Sequence, residues 1–212
     1  YSVKLADMNI DVELTVTERT AMHKYTFNQP GEANLLLDLQ NGLVFNSKNI
    51  RYRVLEGEVE MLDNKTIAGY NRVRGWVARY FYYMIVFDRP YTVKKELPQE
   101  EGEKAKRFIL EFDLKEGESV QVKVALSTVG IEGAKMALDK ENPGWNFESI
   151  KAETNGKWND MLSLAEVEGT EEEKMNFYTS MYHLFIQPTN IADIDGKYRG
   201  ANDSIFVSST GY

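Results

Sequence analysis

The chain has 212 residues, 42% of them apolar and 12% aromatic, which is enough for a packed core and excludes global disorder. A net charge of -8, from 33 acidic and 25 basic residues, argues against an extended phosphate-binding surface. With no cysteine, disulfides, thiol chemistry and cysteine-ligated zinc are excluded, and no apolar run reaches the ~18 residues of a membrane span.

The sequence opens at Tyr1 with no initiator methionine and no signal-peptide pattern, and residues 1–5, "YSVKL", already read as strand. It is therefore expected to be a piece of something longer. Residues 11–17, "DVELTVT", put Val12, Leu14 and Val16 on one face, the period of a half-buried strand. "EANLLLDL", "IRYRVLEGEVEML" and "ARYFYYMIVF" supply further strands rich in aliphatic and aromatic residues. In "FILEFDL" Phe108, Leu110, Phe112 and Leu114 share a side; in "VQVKVAL" Val120, Val122, Val124 and Leu126 do. "LKEGES" between them, with Gly117, reads as a hairpin turn. The fold class is mainly β: an antiparallel β-sandwich whose strands run to about residue 128, in a domain drawn over residues 1–142 and incomplete at its N-terminus. Gly130 and Gly133 in "GIEG" lack the Lys-Ser or Lys-Thr of a phosphate loop and read as turn residues.

The period then changes. Phe147, Ile150, Thr154, Trp158, Met161 and Ala165 form one stripe of an amphipathic helix, with Asn146 as N-cap and Glu148 in the first turn. Gly156 weakens its middle by about 1 kcal/mol relative to alanine, which predicts a bend or break. In a second helix Thr170 and Glu173 make a capping box, reinforced by Glu171 and Glu172. Pro188 marks its end. Met175, Tyr178, Met181, Tyr182 and Phe185 line one face, and Phe177, Leu184 and Ile186 widen it past half the girth. Such a helix needs neighbours on several sides, and a sandwich covers one. Part of this surface is expected to face protein outside the chain. The two helices occupy residues 143–188, and residues 189–212 form a short hairpin with Asp195-Gly196 as its turn and "NIADI" and "KYRGA" as its arms.

Few residues invite a chemical role. Asp193 and Asp195 in "DIDG" begin like a calcium loop, but the further ligands and the terminal glutamate do not follow, so a turn is expected. Arg199 and Asp203 read as a structural salt bridge or solvated pair rather than as lining of a cleft. The glutamates at 171–173 are explained by the cap, and His23 and His183 read as structural. "RVRGWVARYFYY" interleaves arginines with aromatics as a single-strand nucleic-acid surface would, but at a net charge of -8 it reads as ordinary strand.

"PGWNFE", "KWNDML", "FYTSMYHLFIQP" and "DIDGKYRG", in this order between residues 143 and 200, closely resemble glycoside hydrolase family 92, the exo-acting α-mannosidases. Upstream, "VELTVTERTAMHKYTF" and "GYNRVRGWVARYFYYMIVFDRPY" are similar to strands of that family's N-terminal sandwich. The resemblance implies a sandwich joined by linker helices to a catalytic α/α toroid in cis, with Trp145 and Trp158 as packing anchors at the junction. It implies a calcium-dependent, inverting exo-α-mannosidase, of α-1,2 type, acting on mannose-containing glycans such as N-glycans. In such an enzyme an acid and a base stand about 6.5–9.5 Å apart. The family's catalytic residues and calcium ligands belong to the toroid, so no catalytic or metal residue is assigned here and substrate-binding residues are unknown. The chain alone is then expected to be inactive, to hold no cofactor itself, and to bind no nucleic acid. The family's habits place such a protein in the periplasm, at the cell surface or outside the cell. The alternative is a stand-alone carbohydrate-binding or interaction sandwich without catalytic activity.

Overall fold

The computed structural model describes residues 1–41, 54–74, 77–187 and 189–208. Ten strands come first: β1 (Ser2–Leu5), β2 (Ile10–Val16), β3 (Thr20–Phe27), β4 (Ala33–Asp38) and β5 (Val54–Met61), then β6 (Thr66–Arg74), β7 (Ala78–Phe87), β8 (Thr92–Glu96), β9 (Arg107–Phe112) and β10 (Ser119–Ser127). Three helices follow, α1 (Ile131–Glu141), α2 (Phe147–Leu162) and α3 (Glu171–Phe185), and then two short strands, β11 (Lys197–Arg199) and β12 (Ile205–Val207). Pro188 and the first residues of the strand expected from Ile50 lie outside the described residues.

All described strand pairs are antiparallel. One sheet has seven strands in the order β1-β2-β3-β10-β7-β6-β5, and a second has three in the order β4-β9-β8. They enclose Phe27, Ile67, Ile85, Phe87, Phe108, Leu110, Phe112, Val120 and Val122, with Leu114 and Val124 partly buried against them, so the alternating residues of "FILEFDL" and "VQVKVAL" point inward except Leu126, which is exposed. Each fully buried side chain of this size contributes about 1.5–3 kcal/mol.

Two expectations fail here. "LKEGES" does not close a hairpin, because β9 is the middle of the small sheet and β10 the middle of the large one. The inward faces of these strands meet across the core, and the chain crosses from one sheet to the other. Gly117 (φ 81°) makes that crossing, and its N–H donates to the Phe27 carbonyl. "GIEG" is also no simple turn. Gly130 is the N-cap of α1 and Gly133 lies in its first turn, so there are three helices among the described residues rather than two. Helix α1 lies on the outer face of the large sheet, where Ala134, Ala137 and Leu138 pack on Ala68, Met84 and Ala125.

The other helical signals hold. Asn146 Oδ1 accepts from the Ser149 N–H at the start of α2. Thr170 and Glu173 form the reciprocal box at the start of α3. Gly156 does not interrupt α2, which runs unbroken to Leu162; nothing lies within 4 Å of where a Gly156 Cβ would be. Ala165, expected on the same stripe, falls beyond the helix end.

Candidate functional site

The polar chemistry of the molecule gathers where the segment after α3 returns to the sandwich. Ser127 ends β10 with its hydroxyl buried. Oγ accepts from the N–H groups of Val129 (2.9 Å) and Gly130 (3.2 Å) and donates to Asp193 Oδ2 at 2.6 Å. The Asp193 carboxylate sits against the first turn of α1, where a Cβ on Gly133 would stand 2.0 Å from Oδ2. Burial pushes this carboxyl above its usual range, and the Ser127 hydrogen bond opposes that shift. Asp195 is spent differently, accepting from the Lys197 N–H (3.1 Å) and Nζ (2.7 Å), and it is held below the ordinary carboxylate range by that lysine.

The "DIDG" turn is real, with Gly196 at φ 79° and its N–H on the Asp193 carbonyl at 2.9 Å. Its arms differ from those expected: β11 pairs with β12, not with "NIADI". No three His, Cys, Asp or Glu side chains among the described residues converge on a point that could hold a metal ion. Asp193 and Asp195 therefore do not make a calcium loop, since both are committed to protein partners.

A second tie comes from the β2–β3 turn. Arg19 Nε donates to the Ala192 carbonyl (2.8 Å) while Nη1 meets Glu141 Oε1 (2.8 Å) at the end of α1. Glu141 Oε2 also takes the Arg19 N–H at 2.9 Å and the Thr17 hydroxyl. One arginine thus joins the sandwich, α1 and the segment after α3. Beside it, a cleft of about 480 Å³ exposes Val16, Phe81, Leu126 and Ile191.

Arg199 makes the third tie. Its Nε donates to the Thr128 carbonyl (2.8 Å), Nη2 to the Val129 carbonyl (3.0 Å), and Nη1 to the Asp203 carbonyl (3.0 Å). The guanidinium lies 5.1 Å from the Tyr80 ring centre and 5.8 Å from that of Tyr82. Arg72 approaches Tyr80 at 5.2 Å, and the Tyr80 hydroxyl donates to Glu56 Oε1 at 2.7 Å. The structural role expected of Arg199 holds, but its bond to Asp203 is to the backbone; the Asp203 carboxylate lies 3.9 Å from Arg72 instead. The arginines and aromatics of "RVRGWVARYFYY" that fall in this layer stack on one another.

The tryptophans have distinct neighbours. Trp145 lies under the Lys123 ammonium at 4.2 Å, and Lys123 Nζ donates to the Asn142 carbonyl at 2.7 Å. Burial pushes that ammonium below the usual lysine range. Trp158 instead meets Tyr182 of α3, with ring centres 4.7 Å apart. Beyond this contact α3 has no buried residue: Met175 is 68% and Leu184 70% exposed, and Phe177 and Tyr182 are exposed as well. Val207 of the hairpin is 68% exposed. The face of α3 is the bare apolar surface expected from the sequence; that of the hairpin was not expected.

The glutamates at 171–173 occupy the first turn of α3 as a cap should. His23 Nδ1 lies 2.9 Å from the Tyr25 hydroxyl and its imidazolium is disfavoured by burial; His183 is in the last turn of α3. Sequence reading missed Arg19, Lys123, Ser127 and Glu141. Only Lys123 left a trace, as a lysine within the apolar alternation of "VQVKVAL". Taken together, these groups hold elements in place, and the carboxylates of Glu141, Asp193 and Asp195 each have a protein partner.

Comparison with known proteins agrees with this geometry. The glycosyl hydrolase family 92 N-terminal domain matches residues 1–127, and the family's catalytic domain matches residues 133–212. The second match takes in nearly all of α1, together with α2, α3 and the hairpin. A family GH92 α-mannosidase from Bacteroides thetaiotaomicron superposes with a TM-score of 0.84 at 27% identity, covering 99% of this chain and 29% of its own. The structure of that enzyme in complex with mannoimidazole gives 0.83 at 27% identity and the same coverage. A GH92 inverting mannosidase from the same organism gives 0.81 at 19% identity, over 98% of this chain and 29% of its own. The chain thus spans about 29% of the length of these solved relatives. No curated protein sequence matches it.

Proposed function

The chain belongs to glycosyl hydrolase family 92, and on that premise we propose that it is the sandwich and entry portion of a calcium-dependent, inverting exo-α-mannosidase of α-1,2 type acting on glycans outside the cytoplasm. One observation carries the reading: a single chain holds, in order, the family's N-terminal match and a match to its catalytic domain, superposing over 99% of its length on an α-mannosidase. The unburied face of α3 supports it, since an apolar surface of this kind is what a helical catalytic body would cover.

The part played by these residues is to bind and orient. Arg19, Ser127 and Arg199 hold the segment after α3 against the sandwich, so that both parts present a fixed wall to a sugar. Acid, base and calcium ligands are assigned to residues outside this chain, and the chain alone is inactive.

The test compares this chain with the product of the complete reading frame that encodes it, using α-linked mannosides. The complete product releases mannose, loses that activity with a calcium chelator, and yields the inverted anomer first. This chain does none of these. Turnover by the 212 residues, or none by the complete product, overturns the assignment.

A further inference from the structure

We propose that Arg199 is the positioning residue that sets the catalytic-domain residues in register on the sandwich. This rests on the family reading above for what is positioned, although the latch itself is defined by geometry alone. The guanidinium sits where three pieces of chain meet: the β10–α1 connection, the Tyr80/Tyr82 surface of β7 and the loop between β11 and β12. It reaches the carbonyls of Thr128, Val129 and Asp203, while its central carbon stands 5.1 Å from the Tyr80 ring centre. A 3.4 Å contact of Nη2 with the Tyr82 hydroxyl completes the fork.

Three features make this a positioning device rather than one more surface contact. The Thr128 and Val129 carbonyls belong to the β10–α1 connection and have fixed directions, so the paired Nε and Nη2 bonds restrict where the β11–β12 hairpin can sit. Thr128 and Val129 lie between the two family matches and Arg199 well inside the second, so the contact bridges them. Beyond Arg199, the strands of the hairpin themselves add little contact with the sandwich, because every residue of β12 is exposed and β11 pairs only with β12 among the described strands.

Lysine keeps the charge of arginine but offers one ammonium and no planar fork. The test is Arg199→Lys, followed by hydrogen exchange on the 212-residue chain. Amides of 197–207 and of 128–130 are expected to exchange roughly ten- to a hundredfold faster, as for loss of charge-assisted hydrogen bonds, with β7 and β10 unchanged. Wild-type protection in Arg199→Lys overturns the proposal, as does a loss spread evenly over the sandwich. Tyr82→Phe is the folding control and leaves the hairpin protected, since it removes only the 3.4 Å contact.

In the product of the complete reading frame, Arg199→Lys lowers kcat/KM for α-mannosides, with the loss mainly in kcat. An unchanged kcat and KM alongside a loosened hairpin refutes the positioning role. Absence of turnover in the unsubstituted product instead sinks the mannosidase reading, and the exchange result then decides the latch by itself.

Discussion

Gly133→Ala sets two effects of opposite sign against each other. Within the first turn of a helix, alanine in place of glycine is worth up to about 1 kcal/mol of stability. At this position, however, the new Cβ would stand 2.0 Å from Asp193 Oδ2, 2.8 Å from Asp193 Cγ and 2.6 Å from Ser127 Oγ. These contacts are too short to persist, so the carboxylate must move and its 2.6 Å hydrogen bond to Ser127 is lost. A hydrogen bond to a charged group is worth about 1.5–3 kcal/mol, which leaves a net destabilisation of about 0.5–2 kcal/mol after the helical gain. Urea unfolding shows this as a lower midpoint at unchanged slope, and thermal unfolding as a Tm drop of about 2–4 °C per kcal/mol. In an Asp193→Ala background the penalty shrinks, because the nearest obstruction is gone and only Ser127 Oγ remains. A Gly133→Ala variant about 1 kcal/mol more stable than the parent would show that propensity wins and that Asp193 is not packed on α1.

Three further outcomes follow from the same contacts. Burial raises the Asp193 carboxyl, so its contribution is fully present below the unfolded value near 3.9 and is lost as pH rises through the raised folded value. Asp193→Asn still accepts from Ser127 but cannot ionise; its stability relative to the parent should rise across that window and then level off, and a difference flat from about pH 4 to 8 contradicts this. Trp145→Leu removes the ring 4.2 Å from Lys123 and should cost about 1–2 kcal/mol in urea unfolding, a loss that largely disappears in a Lys123→Met background. Thr170→Ala deletes the box at the start of α3 and should cost about 1 kcal/mol locally, read as faster amide exchange confined to the first turns of that helix.

Side-chain period revealed which way most residues point and little about what they meet. Phe108, Leu110 and Phe112 are buried as their alternation requires, yet the same alternation cannot say that β9 pairs with β4 and β8 rather than with β10. Asn146 and the Thr170–Glu173 box were legible because capping is local, settled within four residues. Helix α1 escaped because its buried side is Ala134, Ala137 and Leu138, too small a stripe to stand out from two glycines. The contacts that build the junction join residues far apart in the chain, Ser127 with Asp193 and Arg19 with Ala192, and no spacing rule reaches that distance.

If the chain is the sandwich and entry portion proposed above, the apolar faces of α3 and the β11–β12 hairpin are covered by the helical body of a family 92 mannosidase. Hydroxyl-radical footprinting of Met175, Phe177, Leu184 and Phe206 tests it directly, comparing the 212 residues with the product of the complete reading frame. All four should be heavily modified in the former and protected in the latter. Equal modification in both would mean that nothing docks on this surface, and the account would fail.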